Sequence, residues 1–225
     1  MISEDIALIA ETRLFRGFSL SETKRFIELA GGQEQHFERD MIVLFRGDTL
    51  RSIGIVLEGC LTGLIETSDG QVTVINEMTK GSVFGDVLSG SSGTSPVTLI
   101  AIDDTRVLWI DFSRILSLCC LEKEFSVFLR NFIEEISDKY FALSQRVRIL
   151  SERKLRNKVM EYLKQLRNQQ GSNNVRFPQA TRSQLADYLG CDRAALSREL
   201  GMMAKEGIIQ INRDKVILIK NAEAD

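Results

Sequence analysis

Residues 181–209 read T R S Q L A D Y L G C D R A A L S R E L G M M A K E G I I. The spacing predicts two helices joined by a tight turn. Leu185 and Leu189 give the first helix an apolar stripe, Gly190 and Cys191 make the corner, and Leu196, Leu200 and Met203 turn the second helix inward. The second helix then points Arg193, Ala194, Ser197 and Arg198 outward. An ordinary helical hairpin would reproduce the spacing but not this outward set of small and basic residues. The pattern is that of a helix-turn-helix whose second helix lies in the DNA major groove.

The whole chain carries 29 Lys and Arg against 31 Asp and Glu, a net charge of −2 that alone argues against nucleic acid. Its distribution reverses that. Residues 1–150 hold 15 basic against 22 acidic side chains, whereas residues 151–225 hold 14 against 9. An acidic front and a basic back form the electrostatic footprint of a sensor joined to a DNA reader. At 225 residues and 44% hydrophobic content, two parts can each bury a core. No apolar run approaches membrane-spanning length, and the amino terminus (M I S E D I A L I A E T R) is acidic and unlike a signal peptide. A cytoplasmic location with no membrane partner is the expectation. Cys60, Cys119, Cys120 and Cys191 show no Cys-x-x-Cys spacing, so no metal site is expected and the four should be thiols.

In chain order, residues 4–30 read as helical, with Ser19 or Ser21 as a cap and Gly31-Gly32 as the stop. The character then changes to short strands: Gln35–Phe37, Met41–Phe45, Ile53–Glu58, Cys60–Glu66, Val72–Met78, Val97–Ile102 and Arg106–Ile110. Arg46-Gly47-Asp48, Glu58-Gly59, Ser68-Asp69-Gly70 and Lys80-Gly81 punctuate them. The clearest hairpin pairs Leu61–Glu66 with Gln71–Ile75. Many short strands with regular turns predict a small antiparallel barrel or jelly roll, wide enough inside for one small ligand. Asp111-Phe112-Ser113 caps a return to helix, with Cys119 and Cys120 on it.

Phe125, Leu129, Phe132, Ile136, Tyr140, Leu143, Val147 and Leu150 then follow at spacings of three and four. They form one stripe down a helix of about seven turns. Such a stripe covers the barrel, or also pairs with its twin across a dimer axis; the dimeric habit of helix-turn-helix readers favours pairing. Ser151–Lys154 reads as a hinge. A helix from Lys154 to Asn168, a polar loop and a strand at Val175–Phe177 come next. After the helix-turn-helix, residues 207–219 read as a hairpin turning at Asn212–Asp214, which makes a winged helix. Asn221–Asp225 reads as a frayed tail.

Barrel, long helix and winged helix in that order resemble the family of the cyclic-AMP receptor protein and the fumarate–nitrate reduction regulator (CRP/FNR). The most telling parts are T R S Q L A D Y L G C D R A A L S R E L followed by K E G I I, and the stretch K G S V F G D V L S G S S G T S P V T L I A. The resemblance implies an α+β fold in three parts: a cyclic-nucleotide-binding-type barrel over residues 1–111, a dimerisation helix region over 112–150, and a winged helix-turn-helix over 151–225. It implies a homodimeric transcription regulator that binds a two-fold-related site on double-stranded DNA, meets RNA polymerase, and responds to a small effector.

Carried over by position, Arg193, Ala194, Ser197 and Arg198 fall where the family touches base edges, and Arg198 suits a bidentate bond to guanine. Ala194 departs from the glutamate of well-known members; it can offer only an apolar contact, for instance to a thymine methyl. Thr181, Arg182 and Ser183 suit phosphate contacts.

The effector position maps to Gly85, Asp86, Val87, Ser95, Pro96 and Thr98, with Ser144 on the long helix. Cyclic-nucleotide members carry Arg-Ser where this chain has Ser95-Pro96. The change removes the cation for a buried phosphate and one backbone donor, which argues against cyclic AMP. An uncharged or weakly polar organic molecule fits better; no cofactor is identified. Iron–sulfur ligation lacks cysteines before the barrel, and the single histidine, His36, reads as structural and not as a haem ligand. Two alternatives stay open: a ligand-binding module acting through protein contacts, and a thiol redox sensor at Cys119 and Cys120, residues that also read as packing. No nucleophile–base or paired-carboxylate arrangement is evident, so no catalytic residue is expected.

Overall fold

In the computed structural model, residues 3–66, 70–90, 93–178, 181–212 and 215–218 are described. The chain divides into two compact units, Met1–Asp138 and Lys139–Asp225.

The stretch expected to be helical over residues 4–30 holds two α-helices with a 3-10 turn between them, and the second starts at the expected cap Ser19. Helix α1 (Ser3–Glu11) ends where the Thr12 hydroxyl donates to the Ile9 carbonyl at 2.7 Å, and a 3-10 turn follows at Arg13–Phe15. Helix α2 (Leu20–Leu29) starts at Ser19 with a capping box: Ser19 Oγ accepts from the Glu22 N–H, and the Glu22 carboxylate accepts from the Ser19 N–H at 2.7 Å. The break turns Leu14 and Phe15 into the core, which one straight helix could not do.

Eight strands follow among the described residues: β1 (Gln33–Phe37), β2 (Ile42–Leu44), β3 (Ser52–Glu58), β4 (Cys60–Glu66), β5 (Val72–Thr79), β6 (Val83–Phe84), β7 (Thr98–Ala101) and β8 (Thr105–Asp111). A short helix, α3 (Asp86–Ser89), lies between β6 and β7. The seven expected strands are present, Cys60–Glu66 with the expected ends and the other six with shifted ends; β6 is additional. They form two antiparallel sheets, β1-β8-β3-β6 and β2-β7-β4-β5. The expected hairpin is β4 with β5, where Leu64 faces Val74 and Glu66 faces Val72. Its expected turn residues Ser68 and Asp69 lie outside the described residues.

Side chains alternate across these strands as a pleat requires. One face of β3 and β8, through Ile53, Ile55, Leu57, Leu108 and Ile110, packs under the helices. The other face contributes Val56 and Val107 to a second cluster between the sheets, with Phe37, Leu61, Phe84 and Leu99.

Helix α4 (Phe112–Leu118) starts from Asp111, whose carboxylate accepts from the Ser113 N–H at 2.8 Å and the Arg114 N–H at 3.4 Å. It ends at Leu118, whose carbonyl accepts from both Leu121 and Glu122 as the chain turns. Cys119 and Cys120, expected on a helix, therefore lie in that turn. Cys119 is half-buried, Cys120 is exposed, and their sulfurs are 3.8 Å apart.

Helix α5 (Lys123–Ser151) carries the stripe. Its first half is covered within the first unit. Phe125 and Phe132 are buried, and Leu129 and Ile136 pack beside them. Phe26 of α2 stacks on Phe125 and Phe128, with ring centroids 4.3 and 4.6 Å apart, and Phe15 meets Phe128 edge-on. Buried Asn131 donates to the Leu14 and Arg16 carbonyls at 3.0 and 2.9 Å, so the chain turn after α1 is tied to α5. Arg13 pairs with Glu135 and Asp138, and Arg16 with Glu134. The second half differs: Tyr140, Leu143, Val147 and Leu150 are 64, 61, 55 and 40% exposed.

In the second unit, the backbone break after α5 falls at Glu152–Lys154, with Ser151 still helical. Helix α6 (Leu155–Gln170) runs past the expected Asn168 and stops at Gly171. Then come β9 (Asn174–Arg176), α7 (Arg182–Leu189), α8 (Arg193–Lys205), β10 (Ile209–Asn212) and β11 (Lys215–Leu218). The strands pair in the order β10-β11-β9, so the carboxy-terminal hairpin is a wing joined to β9. The turn residues Arg213 and Asp214, the end of the expected hairpin at Ile219, and the tail Asn221–Asp225 lie outside the described residues. Val159, Tyr162, Leu163, Leu185, Leu189, Leu196, Leu200 and Met203 share one buried core.

Phe26 sits at the centre of the aromatic cluster, 1% exposed. Phe26→Ala should therefore lower stability by about 3–5 kcal/mol, read as a shifted midpoint in urea denaturation.

Candidate nucleic-acid interface and effector site

The turn between α7 and α8 is held from both sides. Thr181 caps α7 in a capping box with Gln184: Thr181 Oγ accepts from the Gln184 N–H at 3.2 Å, and Gln184 Oε1 accepts from the Thr181 N–H at 3.1 Å. Gly190 ends α7 at φ +61°, a left-handed conformation that favours glycine. A Cβ there would also come within 3.1 Å of Leu150. Asp192 caps α8 by accepting from the Ala195 N–H at 2.9 Å. Cys191, the other expected corner residue, is half-buried against the core, and burial pushes its thiol pKa up. Neither Gln184 nor Asp192 was singled out from sequence, although Thr-x-x-Gln has the capping-box spacing.

With Leu196, Leu200 and Met203 buried, α8 exposes Arg193, Ala194, Ser197 and Arg198 together. Neither arginine forms an ion pair among the described residues. Thr181 and Ser183 are exposed at the start of α7. Arg182 is not: its guanidinium lies over the Phe177 ring, 5.7 Å from the centroid, and burial lowers its pKa. Met202 and Lys205 are also exposed on α8 and were not singled out from sequence.

The rear of α8 is clamped. Arg156 of α6 donates from Nε to Glu199 at 2.6 Å, and from both terminal nitrogens to Glu206 at 2.7 and 2.9 Å. Two-pronged guanidinium–carboxylate pairing fixes direction as well as distance. It holds the Glu206 carboxyl below its usual range.

The expected effector residues of the barrel flank a crossing between sheets. Gly85, Asp86 and Val87 follow β6 in one sheet; Ser95, Pro96 and Thr98 lead into β7 in the other. Gly85 has φ +73°, and a Cβ there would meet Leu50 at 2.5 Å and the Ser52 carbonyl at 2.9 Å. Asp86 is buried, whereas Val87 and Pro96 are exposed. The Ser95 hydroxyl is turned inward on its own loop, donating to the Val97 carbonyl at 2.7 Å. Thr98 Oγ accepts from the backbone N–H of Arg46, whose guanidinium donates to the Glu66 carbonyl at 3.1 Å. Arg46 is thus a cation beside this segment that sequence reasoning missed, because it comes from β2's end and not from the motif. Ser144 is exposed on α5 in the second unit. His36 is exposed on β1, opposite Arg106.

Residues 34–120 match the cyclic nucleotide-binding domain model, and residues 157–224 match the Crp-like helix-turn-helix domain model. The chain belongs to the CRP/FNR family of transcriptional regulators. Its fold is similar to that of Thermus thermophilus Catabolite Activator Protein, 20% identical, with a TM-score of 0.58 over 92% of this chain and 93% of that one. The “Putative HTH-type transcriptional regulator ycf28” of Porphyra purpurea is 25% identical over 181 residues, 79% of this chain and 74% of that protein. The Lysophospholipase nte1 of Aspergillus oryzae is 35% identical over 66 residues, 29% of this chain; the match spans only 4% of that enzyme's length. No helix among the described residues is long and apolar enough to cross a membrane.

The family's helix-turn-helix is here stiffened by the Arg156 clamp, and the clamp has a pH signature. Glu206 has a depressed folded-state pKa, so its contribution is complete above the usual carboxylate range and is lost as pH falls through the folded value. The melting temperature of wild type should exceed that of Glu206→Gln at pH 7. The gap should close in acid, and narrow in high salt because the pair is exposed.

Proposed function

We propose that the chain acts as a homodimer that reads two related DNA half-sites and is controlled through its barrel. The observation that carries the DNA reading is the outward face of α8, where Arg193, Ala194, Ser197 and Arg198 are exposed with no ion pair on either arginine among the described residues. Arg198 offers two parallel donors to guanine O6 and N7, and Ser197 and Arg193 flank it. Ala194 supplies an apolar contact in place of the acid found in other members, so the preferred half-site differs from theirs at that base pair. Thr181 and Ser183 present the start of α7 to a phosphate, and Arg182, whose guanidinium face lies over Phe177, keeps its in-plane N–H donors for the same partner.

Dimerisation is supported by the bare half of the stripe on α5. Four large side chains at helical spacing, 40–64% exposed, are costly to leave in water, and a twin helix would cover them. Two DNA-reading units with matched spacing require such an axis. RNA polymerase is the partner that the family resemblance adds.

For the effector, the local bonds speak against a cyclic phosphate. Ser95 spends its hydroxyl on Val97, and Pro96 lacks an N–H. Asp86 is a buried acid in the same segment. Arg46, the cation beside Thr98, already donates to the Glu66 carbonyl, so an uncharged or weakly polar organic ligand suits this segment and would act by favouring one dimer arrangement over another.

Gel-shift titration against a duplex selected by the wild-type protein tests the reading: Arg198→Ala should weaken specific binding by about 1–3 kcal/mol and relax the preference at one base pair. Retained specificity would overturn it. Sedimentation equilibrium tests the dimer, since Leu143→Glu with Val147→Glu should yield monomer at concentrations where wild type is dimeric.

A further inference from the structure

Helix α8 carries a glycine in its interior, Gly201. An interior helical glycine costs about 1 kcal/mol relative to alanine, because the backbone loses more freedom on folding. Packing usually explains such a residue, through a neighbour that leaves no room for a Cβ. That explanation fails at Gly201: a Cβ there would meet nothing within 4 Å, and its φ is not among the positive values of this chain. Gly85 and Gly190, by contrast, are both required from within the chain. At 100° per residue, Gly201 lies about 20° around the axis from Ala194 and about 40° from Ser197, and faces away from the buried Leu196 and Met203.

We infer that Gly201 is a DNA-approach residue: α8 goes without a side chain there so that the wall of the groove can close on its backbone. The inference rests on the reading of α8 as the recognition helix and adds a steric determinant to it. Ala194, about two turns earlier on nearly the same line, is the next smallest residue. The two leave a shallow strip flanked by Ser197 and Arg198, whose side chains reach past it. A bare strip allows the helix to sit deeper, which shortens the reach demanded of both.

The inference has a signature of opposite signs, which a structural role for the glycine would not give. In the full-length protein, Gly201→Ala should raise the melting temperature by about 2–4 °C, because it removes a helix penalty. It should also lower affinity at least tenfold for the duplex selected by wild type from a random library. Asn168→Ala, at an exposed position of α6, controls for stiffening alone and should leave affinity unchanged. Gly201→Ser should weaken binding further than Gly201→Ala.

Unchanged or tighter binding by Gly201→Ala overturns the inference, as does a lowered melting temperature, which would mean the chain itself needs the glycine. Failure of the recognition-helix reading looks different: Arg198→Ala would then bind as wild type does, or wild type would select no duplex at all.

Discussion

A single apolar stripe runs the length of α5, and its two halves are in different states. The first half is bound by the aromatic cluster of Phe15, Phe26, Phe125 and Phe128, with Asn131 satisfying backbone carbonyls of the preceding turn. Burying a backbone acceptor without a partner is costly, and Asn131 supplies the donors for the Leu14 and Arg16 carbonyls where Leu14 and Phe15 turn into the core. The second half of the stripe has no such covering within its own unit. One helix of 29 residues thus carries both the covered and the bare half of the stripe, and the proposed dimer axis depends on its staying regular.

Periodicity revealed the stripe and the helix-turn-helix because each is a repeating pattern of which face is apolar. It cannot say what covers a face, so the division at residue 138 between covered and bare was not legible. Local chemistry that depends on two partners was also hidden. Ser19 with Glu22 and Thr181 with Gln184 form capping boxes, yet only a cap at Ser19 or Ser21 was anticipated. The turn at Cys119 and Cys120 was read as helix because neither residue is a strong breaker; the Leu118 carbonyl, taking two N–H groups, decides it. At the effector segment, sequence recorded which residue types were lost but not that Arg46 stands beside Thr98, since strand pairing brings it there.

The two domains of this CRP/FNR-family chain are built on different economies of order. The barrel packs large side chains between its two sheets and ties α1 to them through a multi-partner arginine, Arg106, which meets Asp5, Glu34 and Glu58. The winged helix keeps one compact core and leaves the outward face of α8 uncommitted. A surface that must conform to a partner gains from having its cations unpaired in the free state, because no ion pair has to break on binding.

The clamp behind α8 bears on how DNA is first met. The helix itself is charge-mixed, with Arg193, Arg198 and Lys205 against Glu199, and Glu206 follows directly. Arg156 offsets one of these two negative charges and holds both carboxylates at the rear of the helix, while Arg193 and Arg198 stand exposed on the other side. A one-sided field turns a molecule before it touches: a polyanion approaching by diffusion is drawn to the reading face and not to the rear. On the proposed reading of α8, Arg156 would bear on the encounter without touching a base, by keeping both carboxylates away from the reading face.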